Sequence, residues 1–329
     1  MVNIVFAELE PWAQDYVKKK LKCHDLSFIE GPITEKNVNL AKNADVLCPF
    51  TWSKLPASVL HKLKVRCIAT MSTGFDHIDL KAAKKQNITV SNVPAYGFNT
   101  VAQHALAHIL NISKKYYDSV ESTKRGDFNP WPYRGFDLKD KVLGVLGTGK
   151  IGLALIEMAR GFEMEVIAFD VFKNHDAAKK LKFKYVPLDT LFKKSDVISI
   201  HVPLFPSTKH IINKKSLSKL KKGVVIVNTS RGPVLSSEAL YEGLNKGIIG
   251  AAGLDVLESE KTFRGHKVNE LGPAEKKIHL IDHELMRMPN VYVTPHSAFN
   301  TSEAIMRIID TTIDNVKAFL KDKPTNVVS

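Results

Sequence analysis

Apolar residues in the first hundred positions fall into two alternating patterns. Runs at residues 2–6, 45–50, 65–69 and 88–91 have strand length, and the stretches 12–21, 58–62 and 80–86 between them have helical spacing. This alternation predicts a parallel sheet with right-handed crossovers. Residues 100–120 follow as one long helical pattern carrying Val101, Ala105, Ile109, Ile112 and Tyr116. The next stretch, GDFNPWPYRGFDLKD at 126–140, has the Pro, Gly and aromatic content of a loop. Six more apolar runs come at 142–146, 166–169, 197–201, 224–228, 251–254 and 291–294. A final helix over 301–321 gathers Ile305, Ile308, Ile309, Ile313, Val316, Phe319 and Leu320 on one face, with Asn300 and Glu303 placed as in a capping box. Such a face must cover something, and the N-terminal sheet is the expected partner.

The 329 residues are long for one core and suit two α/β domains. The expected division is a substrate domain, 1–100 with 298–329, and a dinucleotide domain, 101–297.

The dinucleotide assignment rests on residues 141–170, KVLGVLGTGKIGLALIEMARGFEMEVIAFD. Gly147, Gly149 and Gly152 have GxGxxG spacing between an apolar run and a helical pattern, and a second run ends on Asp170. The first glycine permits a tight turn, and the second lets a pyrophosphate approach the backbone. The third lets helix and strand pack closely, and the helix N-terminus offers free N–H groups to the phosphates. A carboxylate at Asp170 accepts hydrogen bonds from a ribose and repels a 2′-phosphate, which favours NAD over NADP.

Composition changes this picture little. At 44% hydrophobic and 25% charged residues the chain is an ordinary globular one. Its start, MVNIVFAELEPW, lacks the pattern of a secretory signal, and no apolar run has membrane-spanning length. Cys23, Cys48 and Cys67 are odd in number and include no CxxC pair, as expected of reduced cytoplasmic thiols. The net charge of +13 is spread as lysine pairs and triplets along the whole chain, including Lys18–Lys20 and Lys221–Lys222. A dispersed charge predicts a solvated surface in place of a nucleic-acid face, and still favours anionic ligands. His104 and His108 stand four apart, but without the HExxH glutamate they suit packed helix histidines better than metal ligands. His266, His279 and His283 are irregularly spaced and expected in a loop, so no metal site is expected.

Polar residues cluster after the strands, on the edge where open α/β sheets bind ligands. Met71-Ser-Thr-Gly74 and Asn92-Val-Pro-Ala-Tyr96-Gly97 do so in the first half. In the second half His201-Val202-Pro203, with Thr208 beyond, follows the third run. Asn228-Thr-Ser-Arg231 follows the fourth, Asp255 with Glu258 and Glu260 the fifth, and Pro295-His296-Ser-Ala-Phe299 the sixth. The Arg231 fork can hold a carboxylate and an adjacent carbonyl. His296 is suited to proton exchange near neutrality, and a carboxylate such as Glu260 would favour its imidazolium form. A cation clamp, a proton donor and an orienting carboxylate are what hydride transfer to a 2-oxo acid requires.

Taken in order, GTGKIG with Asp170, HVPLFPST, VNTSRGPV, GLDVLESE and TPHSAFN resemble the D-2-hydroxyacid dehydrogenase family, and within it the D-lactate branch. The resemblance spans nearly the whole chain. It implies two Rossmann-like domains, a doubly wound NAD domain and a flavodoxin-like substrate domain, with a cleft between them. It implies that Arg231 binds and polarises substrate, that Glu260 tunes His296, and that His296 is the acid/base. It also implies NAD contacts from the glycine loop and from Lys150, Ile151, Asp170, His201, Val202, Pro203, Thr208, Thr229, Ser230, Arg231 and Asp255. Thr73 and Gly74 would bind the substrate carboxylate through N–H groups, with Tyr96 and Phe299 nearby. A homodimer and reduction of pyruvate to D-lactate are implied too. Hydroxypyruvate, glyoxylate, 2-oxobutyrate and phenylpyruvate stay open as substrates. So does a second class, an NAD-gated corepressor-like binding protein, which shares the fold without turnover.

Overall fold

The computed structural model describes residues 1–263, 268 and 271–329, which form two compact units, Met1–Gly97 with Asn300–Ser329, and Phe98–Phe299. The boundaries fall at Gly97 and Phe299 rather than at 100 and 297, because the helix that opens the second unit already begins at Phe98.

In chain order, the first unit holds β1 (Asn3–Ala7), α1 (Pro11–Lys20), β2 (Asp25–Ile29), β3 (Val46–Cys48), α2 (Ala57–Leu60), β4 (Cys67–Ala69), α3 (Leu80–Lys85) and β5 (Thr89–Ser91). All neighbours are parallel and the order is β2-β1-β3-β4-β5, the flavodoxin-like arrangement. The sequence pattern missed β2. It is an edge strand, DLSFI, with no fully buried residue, so it lacks the apolar run that marks the central strands. The cluster around Val5, Leu47, Ile68 and Val90 is buried.

The second unit begins with α4 (Phe98–Lys114) and α5 (Tyr116–Lys124), not the single helix expected over 100–120. Lys115 adopts the left-handed conformation, φ +49°, and breaks the run. Next come β6 (Val142–Leu146), α6 (Lys150–Gly161), β7 (Glu165–Phe169), α7 (His175–Leu181), β8 (Lys184–Tyr185), α8 (Leu188–Lys194), β9 (Val197–Ile200), β10 (Val224–Asn228), α9 (Ser237–Asn245) and β11 (Ile249–Leu254). The unit closes with α10 (Glu260–Phe263), α11 (Pro273–Arg287) and β12 (Val291–Val293). Its parallel sheet runs β8-β7-β6-β9-β10-β11-β12, so among the described residues seven strands replace the six expected. The extra one, β8, has two residues and no periodicity to reveal it. It shifts the count, and His201 follows the fourth strand of the sheet, not the third. The order reverses between β6 and β9, which puts the glycine loop at a topological switch point.

The last described helix is α12 (Ser302–Leu320), which lies against β4 and α1 of the first unit. Its N-cap is Thr301, whose side chain accepts from the Ala304 amide at 3.3 Å, so Asn300 is not the cap. Threonine caps well because its hydroxyl satisfies an amide the helix leaves free. Among the described residues no helix is long and apolar enough to cross a membrane.

Candidate active site

The glycine loop has the local geometry its spacing suggests. Gly147 sits at φ +94°, closed to most side chains, and a Cβ there would lie 2.9 Å from the His201 carbonyl oxygen. A Cβ on Gly152 would lie 2.1 Å from the Gly147 carbonyl oxygen, so only glycine lets α6 dock on the loop. Gly149 caps α6, and a Cβ there would meet nothing within 4 Å. That open face, beside the unpaired N–H groups of the helix N-terminus, suits a pyrophosphate. Asp170 braces the same loop: its Oδ2 accepts from the Thr148 amide at 2.6 Å and the Thr148 hydroxyl at 3.0 Å. Lys150 is exposed beside it, and Ile151 is half-buried.

Across the switch point, His201 is half-buried and within 2.8 Å of Ser199 Oγ, with desolvation pushing its pKa down to about 4. Val202 is buried and Pro203 exposed, and Thr208 donates to the Pro203 carbonyl at 2.5 Å. Thr229, after β10, is 8% exposed, and its Oγ1 has no hydrogen-bond partner among the described residues. A buried hydroxyl left alone in this way suits a bound ligand. Together with the open Gly149 face, it fits a dinucleotide lying along this edge.

Arg231 is held by its backbone. The Asn228 side-chain amide donates to its carbonyl at 3.0 Å, while Asn228 Oδ1 accepts from the Ser230 amide and hydroxyl. Gly232 follows at van der Waals contact with the next loop, since a Cβ there would lie 1.9 Å from the Leu257 carbonyl oxygen. Arg231 as a whole is half-buried, and its Nη1 donates to the Ser230 carbonyl at 2.8 Å.

Of the two glutamates after β11, Glu258 engages His210 Nε2 at 2.6 Å and the Ser237 amide at 2.9 Å. Glu260 Oε1 lies 2.6 Å from His296 Nδ1. With Nδ1 engaged by the carboxylate, Nε2 is the ring nitrogen that this contact leaves uncommitted. His296 itself stands at φ +54°, an uncommon conformation outside glycine. Asp255 builds that turn: its carboxylate accepts from the Thr294 hydroxyl at 2.6 Å and from the Ser297 and Ala298 amides at 2.8 and 2.9 Å. Burial opposes its ionisation, but these bonds and the one from His104 outweigh it and hold the carboxyl below its usual range. Buried at 1% exposure, Asp255 supports the turn that carries His296, a role its place in the motif did not reveal.

The family model for the D-isomer specific 2-hydroxyacid dehydrogenase NAD binding domain matches residues 106–298. A D-lactate dehydrogenase of Escherichia coli is 37% identical over 296 residues, covering 89% of this chain and 88% of that protein. The chain belongs to the D-2-hydroxyacid dehydrogenase family. A hydroxypyruvate reductase of Blautia hydrogenotrophica is 35% identical over 282 residues, 84% of this chain and 82% of the relative. The structure of a D-lactate dehydrogenase from Aquifex aeolicus, complexed with NAD and lactic acid, superimposes with a TM-score of 0.84 at 34% identity, over 98% of this chain and 96% of that one. The protein is accordingly an NAD-dependent oxidoreductase.

In the first unit of this dehydrogenase, Thr73 and Gly74 follow β4 and Tyr96 follows β5, on the carboxyl edge of their own sheet. The Asn92 side chain donates to the Thr73 carbonyl at 2.8 Å, and Thr73 Oγ1 donates to the Val93 carbonyl at 2.7 Å, so the two loops are stitched together. The Arg307 side chain of α12 donates to the Tyr96 carbonyl. Phe299 is half-buried at the end of the second unit.

Two groups of histidines differ from expectation or extend it. His104 and His108 converge on Thr294, at 2.9 and 3.3 Å, and Gly253 leaves room for the His108 ring. His279 and His283 are not in a loop but on α11, four apart, with His279 buried. Their helix was hidden because its apolar positions are few and interrupted by charge. His266 lies outside the described residues. Burial, reinforced by His104, pushes His108 down to about 4 from 6.5. The native state therefore leaves it neutral while the unfolded chain takes up a proton. Its contribution is complete above about pH 6.5 and is lost as pH falls towards about 4, at a cost of up to about 3 kcal/mol. Thermal melts across that window should fall more steeply for the wild type than for His108→Gln.

Proposed function

We propose that this dehydrogenase reduces pyruvate to D-lactate, reversibly, with Arg231, Glu260 and His296 as its working groups. The observation that carries the proposal is the 2.6 Å contact between Glu260 Oε1 and His296 Nδ1, on the sheet edge that also bears Arg231. The chemistry supplied by bound NADH is a hydride, delivered to C2 of the 2-oxo acid. The Arg231 guanidinium binds the substrate carboxylate and polarises the neighbouring carbonyl. His296, as imidazolium, passes the Nε2 proton to the carbonyl oxygen, and Glu260 steadies the positive ring while Nδ1 stays protonated. In the oxidative direction neutral His296 takes the proton back.

The glycine loop, Asp170 and the strand-end residues from His201 to Ser230 are assigned to the dinucleotide. Thr73 and Gly74 are assigned to the substrate carboxylate through their N–H groups, and Tyr96 and Phe299 to the substrate tail, as the family resemblance implies. Pyruvate is preferred because the 37%-identical relative is a D-lactate dehydrogenase, while similarity to a hydroxypyruvate reductase supports a second substrate of the same class. NADH oxidation measured with pyruvate, hydroxypyruvate, glyoxylate, 2-oxobutyrate and phenylpyruvate should rank pyruvate first. A higher kcat/KM for another acid overturns the substrate, and no turnover with any of them favours a binding protein.

A homodimer is part of the same proposal. Tyr116 and Tyr117 on α5, Trp131 in the turn packed beside it and Phe128 in the loop between are exposed aromatics, suited to covering by a second copy. Light scattering should give twice the mass of one chain, and a monomer at micromolar concentration would refute it.

A further inference from the structure

The segment after Glu260 has no part in the reading above, yet α11 grips α10 at both ends. Asp282, fully buried on α11, accepts through Oδ2 from the Ser259 amide at 2.8 Å and the Ser259 hydroxyl at 2.6 Å. Ser259 immediately precedes Glu260, the first residue of α10. At the other end Thr262 donates its only hydroxyl proton to the Ser259 carbonyl at 2.7 Å. Its 2.5 Å contact with His279 Nδ1 must then have the ring as donor, which sets the His279 tautomer. Burial, with His283 alongside, pushes the His279 pKa down. Phe263, the last residue of α10, packs on both rings, 4.9 Å from His279 and 4.8 Å from His283.

We propose that Asp282 and His279 are positioning residues for the acid–base pair, clamping the two ends of α10 so that Glu260 presents its carboxylate to His296. The inference rests on the reading of Glu260 as the partner of His296. A four-residue helix has no stability of its own, because a single turn costs more ordering than its hydrogen bonds return. Something outside α10 must therefore hold Glu260 where a 2.6 Å contact forms. The Asp282 carboxyl does this at the N-terminus by accepting from the Ser259 amide and hydroxyl, bonds that offset part of the burial that pushes its pKa up, and it satisfies an amide that the helix leaves free. The His279, His283 and Phe263 rings do it at the C-terminus. On the opposite side, Glu258 is anchored to His210 and Ser237, so the chain entering α10 is fixed as well.

The test is the pH dependence of kcat/KM for 2-oxo acid reduction in the full-length enzyme, with NADH affinity followed by fluorescence and folding by thermal melting. Glu260→Gln should move the alkaline fall of the profile to lower pH, because an amide does not steady the imidazolium. Asp282→Ala and Ser259→Ala should move it the same way by less, about half a pH unit or more, at unchanged NADH affinity. Asp282→Asn, which keeps an acceptor for Ser259, should recover most of the wild-type profile. On a Glu260→Gln background Ser259→Ala should add no further shift. If Glu260→Gln leaves the profile in place, the acid–base reading fails and the clamp with it. If Glu260→Gln moves it while folded Ser259→Ala and Asp282→Ala match the wild type, the clamp alone is refuted. Ser259→Ala decides the matter should the buried Asp282→Ala chain fail to fold.

Discussion

Arg231→Ala should lower kcat/KM for pyruvate by roughly a thousandfold while NADH still binds within a few-fold of the wild type. The guanidinium is the group assigned both to the substrate carboxylate and to the carbonyl on which negative charge develops. Removing one such donor from a preorganised site typically costs about a hundred- to a thousandfold in rate, and here the substrate anchor goes as well. The backbone of the loop should survive, since Asn228 holds the Arg231 carbonyl and Gly232 keeps its contact with Leu257 whatever side chain stands at 231. Arg231→Lys should recover little, because an ammonium is a point charge without the planar fork. Steady-state kinetics near wild type for Arg231→Ala would remove the substrate clamp from the mechanism.

His296→Asn should lower kcat by about a hundred- to ten-thousandfold, the usual contribution of a positioned proton donor. Asparagine is the instructive replacement, because position 296 has φ +54° and asparagine tolerates that conformation better than most residues. The Asp255 bonds to Ser297 and Ala298 then stay in place, and the loss reports on the imidazole alone. Single-turnover mixing of enzyme and NADH with pyruvate should show a slow hydride step in the variant. A wild-type rate would assign the proton to another group.

The parts legible in the sequence were those in which one local pattern had one physical meaning. The glycine loop was visible because strand, turn, helix and acid follow within thirty residues, each demanding a particular residue type. Arg231 and His296 stood out as polar side chains directly after apolar strands. What escaped depends on distant partners or on weak periodicity. Asp255 shows itself as the support of the His296 turn only when Ser297 and Ala298 are brought to it in three dimensions. The two-residue strand β8 has too little pattern to detect, and the break at Lys115 rests on a left-handed residue that no glycine announces. α11 is not legible in the sequence because charged and apolar positions mix along it, although it carries the carboxyl that holds Ser259.

The abutment of Gly232 on the Leu257 carbonyl has a practical consequence for anyone redesigning the enzyme. The arginine turn and the glutamate turn share a seam too narrow for even one methyl group. Grafting either from a cousin with a different backbone would force its neighbour aside, so the two are best transplanted together, and variety is best sought elsewhere in the chain.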